Sequence, residues 1–305
     1  MEIQQVPHRI VLTLTCLGLA IAGCGTSSAS GAGANLKIVA GQNFWGSMAT
    51  QLAGSHGTVQ SVVTDPNADP HEYESNTNDA RAFAEADLVI LNGAGYDDWG
   101  RKLLDANASA HRTVLTVAEM LGKKTGDNPH FWYDPNNIGP VADKITAELQ
   151  RLDPADGEYF TQQRRAFDEA LKPYRTRIAE IRHNFGGTAV GATENIVVYL
   201  ATALDLHLIS PPAFMQAVAE GNDPPANTVA DFQDQVSTRR IKVLVYNVQT
   251  STLVTTNVKK LAQQQGIEVV GVSETMQPES STFQDWQLAQ LNTLENALNA
   301  ESLVK

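Results

Sequence analysis

The chain has 305 residues, 42% of them hydrophobic, which is enough to bury one long or two medium domains. Its formal net charge of −12 argues against a nucleic-acid partner, whose phosphates require lysine and arginine, and fits a surface that attracts cations. Glycine and proline are ordinary in number, so this is not a low-complexity chain.

At the amino terminus, His8 and Arg9 precede a 13-residue apolar run, Ile10 to Ala22. That is too short to span a bilayer and right for the core of a signal peptide. The run ends Ile21-Ala22-Gly23-Cys24, which resembles a bacterial lipobox. Residues 1–23 are therefore expected to be a signal peptide, with Cys24 lipidated and holding the protein at the outer face of the cell membrane. The alternative is an ordinary signal peptide cleaved nearby. The Ser/Gly/Ala-rich residues 24–35 read as a flexible tether. Cys16, the other cysteine, would be removed with the leader, so any metal site must use His, Asp and Glu.

From Leu36 the pattern alternates. Leu36–Ala40 reads as a strand, Gln42–Ala53 as a helix with Phe44, Trp45, Met48 and Leu52 on one face, and Val59–Val63 as a strand running into a loop around His71. Asn76–Ala86 is a helix opened by polar capping residues, Asp87–Gly93 a buried strand with its stop, Trp99–Leu104 a helix, and Val114-Leu115 a weak strand before a loop around His130. Asn136–Leu152 carries Ile138, Val141, Ile145 and Leu149 at helical spacing. Such alternation means a mostly parallel sheet with helices on both faces, whose ligands sit beyond the carboxyl ends of the strands.

Tyr159 to about His183 is free of glycine and carries an apolar stripe. As one helix of ~25 residues it would be ~37 Å long, a stiff connector bent at Pro173. The alternation then resumes: strand Thr188–Thr193 leading to Glu194, helix Asn195–Leu204, helix Asn227–Gln235, strand Ile241–Tyr246, helix Thr255–Gln265, strand Ile267–Val272 leading to Ser273-Glu274, and a last helix from about Phe283 to Leu303. The expected organisation is an amino-terminal lobe over 36–155, a connector over 156–185 and a carboxyl-terminal lobe over 186–305.

One local pattern occurs twice: Ala-Asp-Pro-His-Glu-Tyr-Glu-Ser around His71, and Asp-Asn-Pro-His-Phe-Trp-Tyr-Asp-Pro around His130, 59 positions apart. Proline stiffens the step before each histidine, so two imidazoles are presented from rigid loops, the beginning of a transition-metal site. A histidine in a loop is otherwise an ordinary solvated side chain, which is the reading for His56, His111 and His207; His183 reads as a cap on its helix. Asp69, Asn128 and Asp134 are placed to accept a second ring N–H or to serve as turn residues. Tyr73, Trp132 and Tyr133 would shield a cleft or pack. Asn247 and Gln249 would line it or turn the chain.

These motifs resemble those of the zinc- and manganese-binding lipoproteins that feed ABC importers, the cluster A-I or ZnuA-like substrate-binding proteins, over nearly the whole chain. Tyr199–Leu206 looks like the end of the helix that follows the family's third ligand, which places that ligand at Glu194. Val270–Met276 occupies the position of the fourth, usually Asp, which here is Glu274. The resemblance implies two α/β lobes joined by one rigid helix, a metal in the cleft held by His71, His130, Glu194 and Glu274, and a separate permease and ATPase. It also implies a monomer. The His-rich loop of many zinc members is absent. Two imidazoles and two carboxylates neutralise a divalent charge and lean toward Mn2+, while Zn2+ binds at least as tightly by the usual affinity order. The competing reading is a surface-anchored metal-dependent hydrolase. Four protein ligands leave no open position in a tetrahedral site, and the chain has no H-E-x-x-H, G-x-S-x-G or Ser-His-Asp order to support catalysis.

Overall fold

A computed structural model describes residues 35–67 and 69–302. The expected signal peptide, the expected lipidation site at Cys24 and the expected tether up to residue 34 lie outside the described residues.

Eight strands form two four-stranded sheets among the described residues. The first contains β1 (Leu36–Gln42), β2 (Gly57–Val63), β3 (Leu88–Leu91) and β4 (Thr113–Thr116) in the order β2-β1-β3-β4. The second contains β5 (Ala189–Ala192), β6 (His207–Leu208), β7 (Val243–Asn247) and β8 (Glu268–Val272) in the order β6-β5-β7-β8. Every pairing is parallel, with Val39 opposite Gln60 and Val89 in the first sheet and Val245 opposite Val270 in the second. The central strands β3 and β7 are apolar and buried along their length, as strands covered on both faces must be.

Helices cover the sheets. Those of the first half are α1 (Asn43–Ala53), α2 (Thr77–Glu85), α3 (Asp98–Ala106), the single turn α4 (Val117–Met120) and α5 (Pro135–Leu152). α1 lies so close to β2 that a Cβ on Gly46 would meet Ser61 Oγ at 2.0 Å. The connector is two helices, α6 (Gly157–Ala170) and α7 (Lys172–Phe185), where the sequence suggests one. Pro173 has no N–H to return to the Glu169 carbonyl, so the ladder breaks there. Leu171 stays near helical geometry, and hydrogen bonds from its N–H to Phe167 and to its carbonyl from the Arg175 N–H carry the chain across the break. The second half adds α8 (Val198–Ala203), α9 (Pro212–Ala219), α10 (Ala226–Ser237), α11 (Leu253–Gln264) and α12 (Phe283–Ser302). β6, at two residues, and α9, at eight, are too short for periodicity to mark them.

The halves share one hydrophobic core. Phe44 stacks on Trp132 at 4.0 Å, and Tyr133 meets Trp286 edge-on at 6.0 Å. Met276 N–H donates to Asn43 Oδ1 (2.9 Å), Phe283 N–H donates to Ser47 Oγ (3.0 Å), and Arg177 on α7 holds Asn292 and Glu295 on α12. An apolar, hydrogen-bonded seam of this kind favours a fixed relation between the lobes over free hinge motion.

The loop carrying His71 is pinned from beyond its end. Asn76 and Asp79 form a reciprocal cap on α2, and the buried Asp79 carboxylate also accepts the Tyr73 hydroxyl at 2.8 Å. Replacing Asp79 by Ala strands both donors. Chemical denaturation should show a loss of about 1–3 kcal/mol.

Candidate metal centre

Parallel strands all point their carboxyl ends the same way, and in each sheet the residues after those ends converge on one place. His71 follows β2, Tyr96 follows β3 and His130 follows β4; Glu194 follows β5, Asn247 closes β7 and Glu274 follows β8. His71 Nε2 lies 3.2 Å from Glu274 Oε2, and His130 Nε2 lies 3.6 Å from the same oxygen and 3.9 Å from Glu194 Oε1. One ligand atom each from His71, His130 and Glu274 lies within 4.8 Å of the others. His130, Glu194 and Glu274 are inaccessible to solvent, and the His71 side chain is 23% exposed. His71 Nε2, His130 Nε2 and Glu194 Oε1 are buried without a hydrogen-bond partner. Three orphaned polar atoms aimed at one point are costly unless something occupies it.

The doubled Pro-His motif has a local cause. The side chain two residues before each histidine accepts that histidine's backbone N–H: Asp69 Oδ1 for His71 (2.9 Å) and Asn128 Oδ1 for His130 (3.0 Å). Asn128 Oδ1 also lies 2.8 Å from His130 Nδ1. An amide oxygen only accepts, so the ring proton sits on Nδ1 and the Nε2 lone pair faces the centre. Asn128 is fixed in turn, donating to the Asn195 carbonyl (2.8 Å) and receiving the Tyr199 hydroxyl on its own carbonyl (2.9 Å). Asp69 orients backbone only. Asp134 does not join the site: its Oδ1 accepts the Asn136 N–H at 3.0 Å and caps α5. Trp132 and Tyr133 are fully buried, Trp132 edge-on to His130 at 5.1 Å, while Tyr73 packs on Trp99.

Asn247 and Tyr96 complete the geometry. Asn247 Nδ2 donates to Glu194 Oε2 (3.0 Å) and to Glu274 Oε1 (2.9 Å), so one amide holds both carboxylates and leaves the other oxygen of each toward the histidines. The Tyr96 hydroxyl donates to Glu274 Oε2 at 2.6 Å, and burial keeps that phenol protonated by raising its pKa far above the usual value. Gln249 Oε1 receives the N–H groups of Glu274 (2.7 Å) and Thr275 (3.0 Å). Asn247 and Gln249 thus both line the cleft and turn the chain. Tyr96 is the residue that the sequence reading missed. Its signal is Asn92-Gly93-Ala94-Gly95, whose residues 93 to 95 all have positive φ and swing the chain after a buried strand.

The charges are interdependent. Burial by itself lowers the pKa of His71, but the Glu274 carboxylate reverses this and lifts it to about 9. Burial opposes ionisation of Glu274, and the His71 and His130 imidazoles outweigh it, holding that carboxyl well below its ordinary range. Glu194 is pushed up by burial despite His130. A cavity of about 450 Å3 leads in past Asp69, Glu72, Asp127 and Glu220, and among the described residues no lysine or arginine lines it. Acidic walls of this kind concentrate cations.

His56 is not a free surface histidine as expected: its Nδ1 lies 2.8 Å from Asp156 Oδ2. His111 and His207 are exposed.

The chain is similar to known metal-binding proteins. It is 28% identical over 161 residues to the manganese-binding lipoprotein MntA of Halalkalibacterium halodurans, covering 51% of this chain and 53% of that protein. It thus spans little more than half the length of such relatives in sequence. In three dimensions it superimposes on the periplasmic zinc-binding protein TroA of Treponema pallidum with a TM-score of 0.74 at 15% identity, covering 87% of this chain and 99% of the other. A mutant of the laminin-binding adhesin Lmb of Streptococcus agalactiae gives 0.70 at 22% identity, covering 87% and 100%. The family described as ZnuA, zinc-uptake complex component A, periplasmic, matches residues 38–297, and the chain belongs to that family.

Proposed function

We propose that this protein is an extracytoplasmic substrate-binding lipoprotein that captures one divalent transition-metal ion, Mn2+ or Zn2+, and delivers it to an ABC permease and its ATPase. The observation that carries this reading is the cluster of His71, His130 and Glu274, with Glu194 Oε1 3.9 Å from His130 Nε2, and with both Nε2 atoms and Glu194 Oε1 buried without a hydrogen-bond partner. The names of the relatives support it: one is described as manganese-binding and one as zinc-binding. The ion is cargo, held by His71 Nε2, His130 Nε2, Glu194 and Glu274. Cys24 carries the lipid anchor, residues 24–35 the tether, and the folded body acts as a monomer with lobes over 36–155 and 186–305 about the connector. The relatives named above are binding proteins, and no residue arrangement in the cleft favours a hydrolase.

The donor set suits a divalent transition-metal cargo. Two neutral imidazoles and two carboxylates balance a divalent charge, and two carboxylates can each supply a second oxygen to an ion that prefers higher coordination. Asn247 and Tyr96 each occupy a Glu274 oxygen, which restrains that carboxylate from turning freely toward the ion. Zn2+ retains its general affinity advantage, so selection rests on how well the site resists collapse to four ligands.

Mixed titration of the metal-stripped protein with Mn2+ and Zn2+, read by native mass spectrometry, should give one tightly bound ion in the cleft. Glu274→Ala should weaken it by more than the about 10–100-fold that loss of a ligand's partner costs. Absence of any tightly bound ion from the wild type would end the transport reading. Asn247→Leu removes the amide bridging the carboxylates and should weaken binding about 10–100-fold while the far-UV circular dichroism stays unchanged.

Binding should also release a proton. An ion takes neutral imidazole, and His71 is protonated below about pH 9 in the free protein. Apparent affinity should therefore rise about tenfold per pH unit as pH climbs toward 9 and flatten above it. Calorimetry at pH 7.5 in buffers of different ionisation enthalpy should count close to one proton per ion, and His71→Gln should abolish that release.

A further inference from the structure

At the amino ends of the first sheet's strands, away from the cleft, lies a second group of ligand-type side chains. His56 closes the turn that opens β2, and Asp153 and Asp156 flank the Pro154–Asp156 turn where α5 gives way to the connector helix α6. One ligand atom from each of the three lies within 4.8 Å of the others. His56 Nδ1 is 2.8 Å from Asp156 Oδ2. Asp153 is 6% exposed, and its Oδ2 is fully buried with no hydrogen-bond partner. It does not cap the helix that follows it. Among the described residues no lysine or arginine forms an ion pair with either aspartate. A buried carboxylate oxygen with neither a donor nor a cation is rare in a folded protein and calls for an explanation.

The histidine is held in place from the other side. The His56 ring lies 4.1 Å from the Tyr159 ring and 5.9 Å from that of Phe160, both on α6. The Tyr159 hydroxyl receives the Ser55 N–H at 2.8 Å, so the turn and the helix are clamped together around the imidazole. The side chains of His56 and Asp156 remain 22% and 26% exposed, which leaves a path from solvent.

We propose that His56, Asp153 and Asp156 form a second binding site for a divalent transition-metal ion, separate from the cleft and independent of the transport reading. One imidazole selects against magnesium and calcium, and two carboxylates neutralise the charge. Three protein ligands leave positions for water, so this site is open and exchanges more readily than the cleft. An ion there ties the entry of β2 to the head of the connector. Its role is to stiffen the first lobe against the connector when metal is abundant.

Co2+ is a suitable probe because it is both coloured and paramagnetic. The metal-stripped full chain, in detergent, is titrated as wild type, as Asp153→Asn, and as a cleft variant carrying Glu194→Ala and Glu274→Ala. Two equivalents are expected for the wild type and one for each variant. In the cleft variant the remaining ion should shift and broaden the His56 ring protons in NMR, a readout that needs no change to the cluster. If Asp153→Asn does not fold, His56→Gln takes its place in the titration. The proposal is overturned if wild type and Asp153→Asn bind the same number of ions, or if Co2+ leaves the His56 signals unmoved. Loss of cleft binding alone would instead count against the transport reading and leave this site standing.

Discussion

Two buried carboxylates face one another at the centre of this protein, and most of what surrounds them answers the problem they pose. Glu194 and Glu274 have no contact with solvent, and desolvating an ion costs several kcal/mol even after the protein relaxes. Asn247 supplies one donor to each, Tyr96 a third to Glu274, and His71 the opposing charge. The histidines in turn cannot neutralise both carboxylates without being protonated. On the proposed reading, a divalent ion entering the site would replace the proton that Glu274 helps to hold on His71.

Parallel topology makes the arrangement possible. Each sheet ends its strands on one edge, and the two edges are brought together by a shared core that includes Phe44, Trp132, Tyr133 and Trp286. The cross-lobe bonds Asn43–Met276 and Ser47–Phe283 fix the seam, and Arg177–Asn292 ties the connector to α12. The broken connector fits that picture. With the lobes already joined by packing, its stiffness matters less than its contact with α12, and the interruption at Leu171 costs little.

Much of the fold was legible along the chain. The alternation of apolar strands with amphipathic helices marked both sheets, because a strand buried on both faces, such as Leu88–Leu91, must be apolar throughout. Pro173 announced a bend in the connector, but not that it would divide the helix in two. The short β6 and α9 were invisible, being stabilised by neighbours rather than by any periodicity of their own. Asp134 shows the limit of motif reading. It stands in the same Asx-Pro setting as Asp69 and Asn128, yet the N–H that its carboxylate accepts, that of Asn136, belongs to a helix rather than to a histidine loop.

By itself the sequence determined the candidate ligand types and the local aim of the two histidines. The Asx-Pro-His steps set two stiff loops, and the acidic residues after two later strands were marked by their place in the alternation. Only the tertiary structure decided the distances between them, the single amide of Asn247 that orders both carboxylates, and the Tyr96 hydroxyl on Glu274. It alone also brought His56 to Asp153 and Asp156. Local motifs are governed by bonds between near neighbours, which a sequence displays. Contacts made across 27 to 203 positions depend on how sheets close on one another, and no short stretch of chain encodes that.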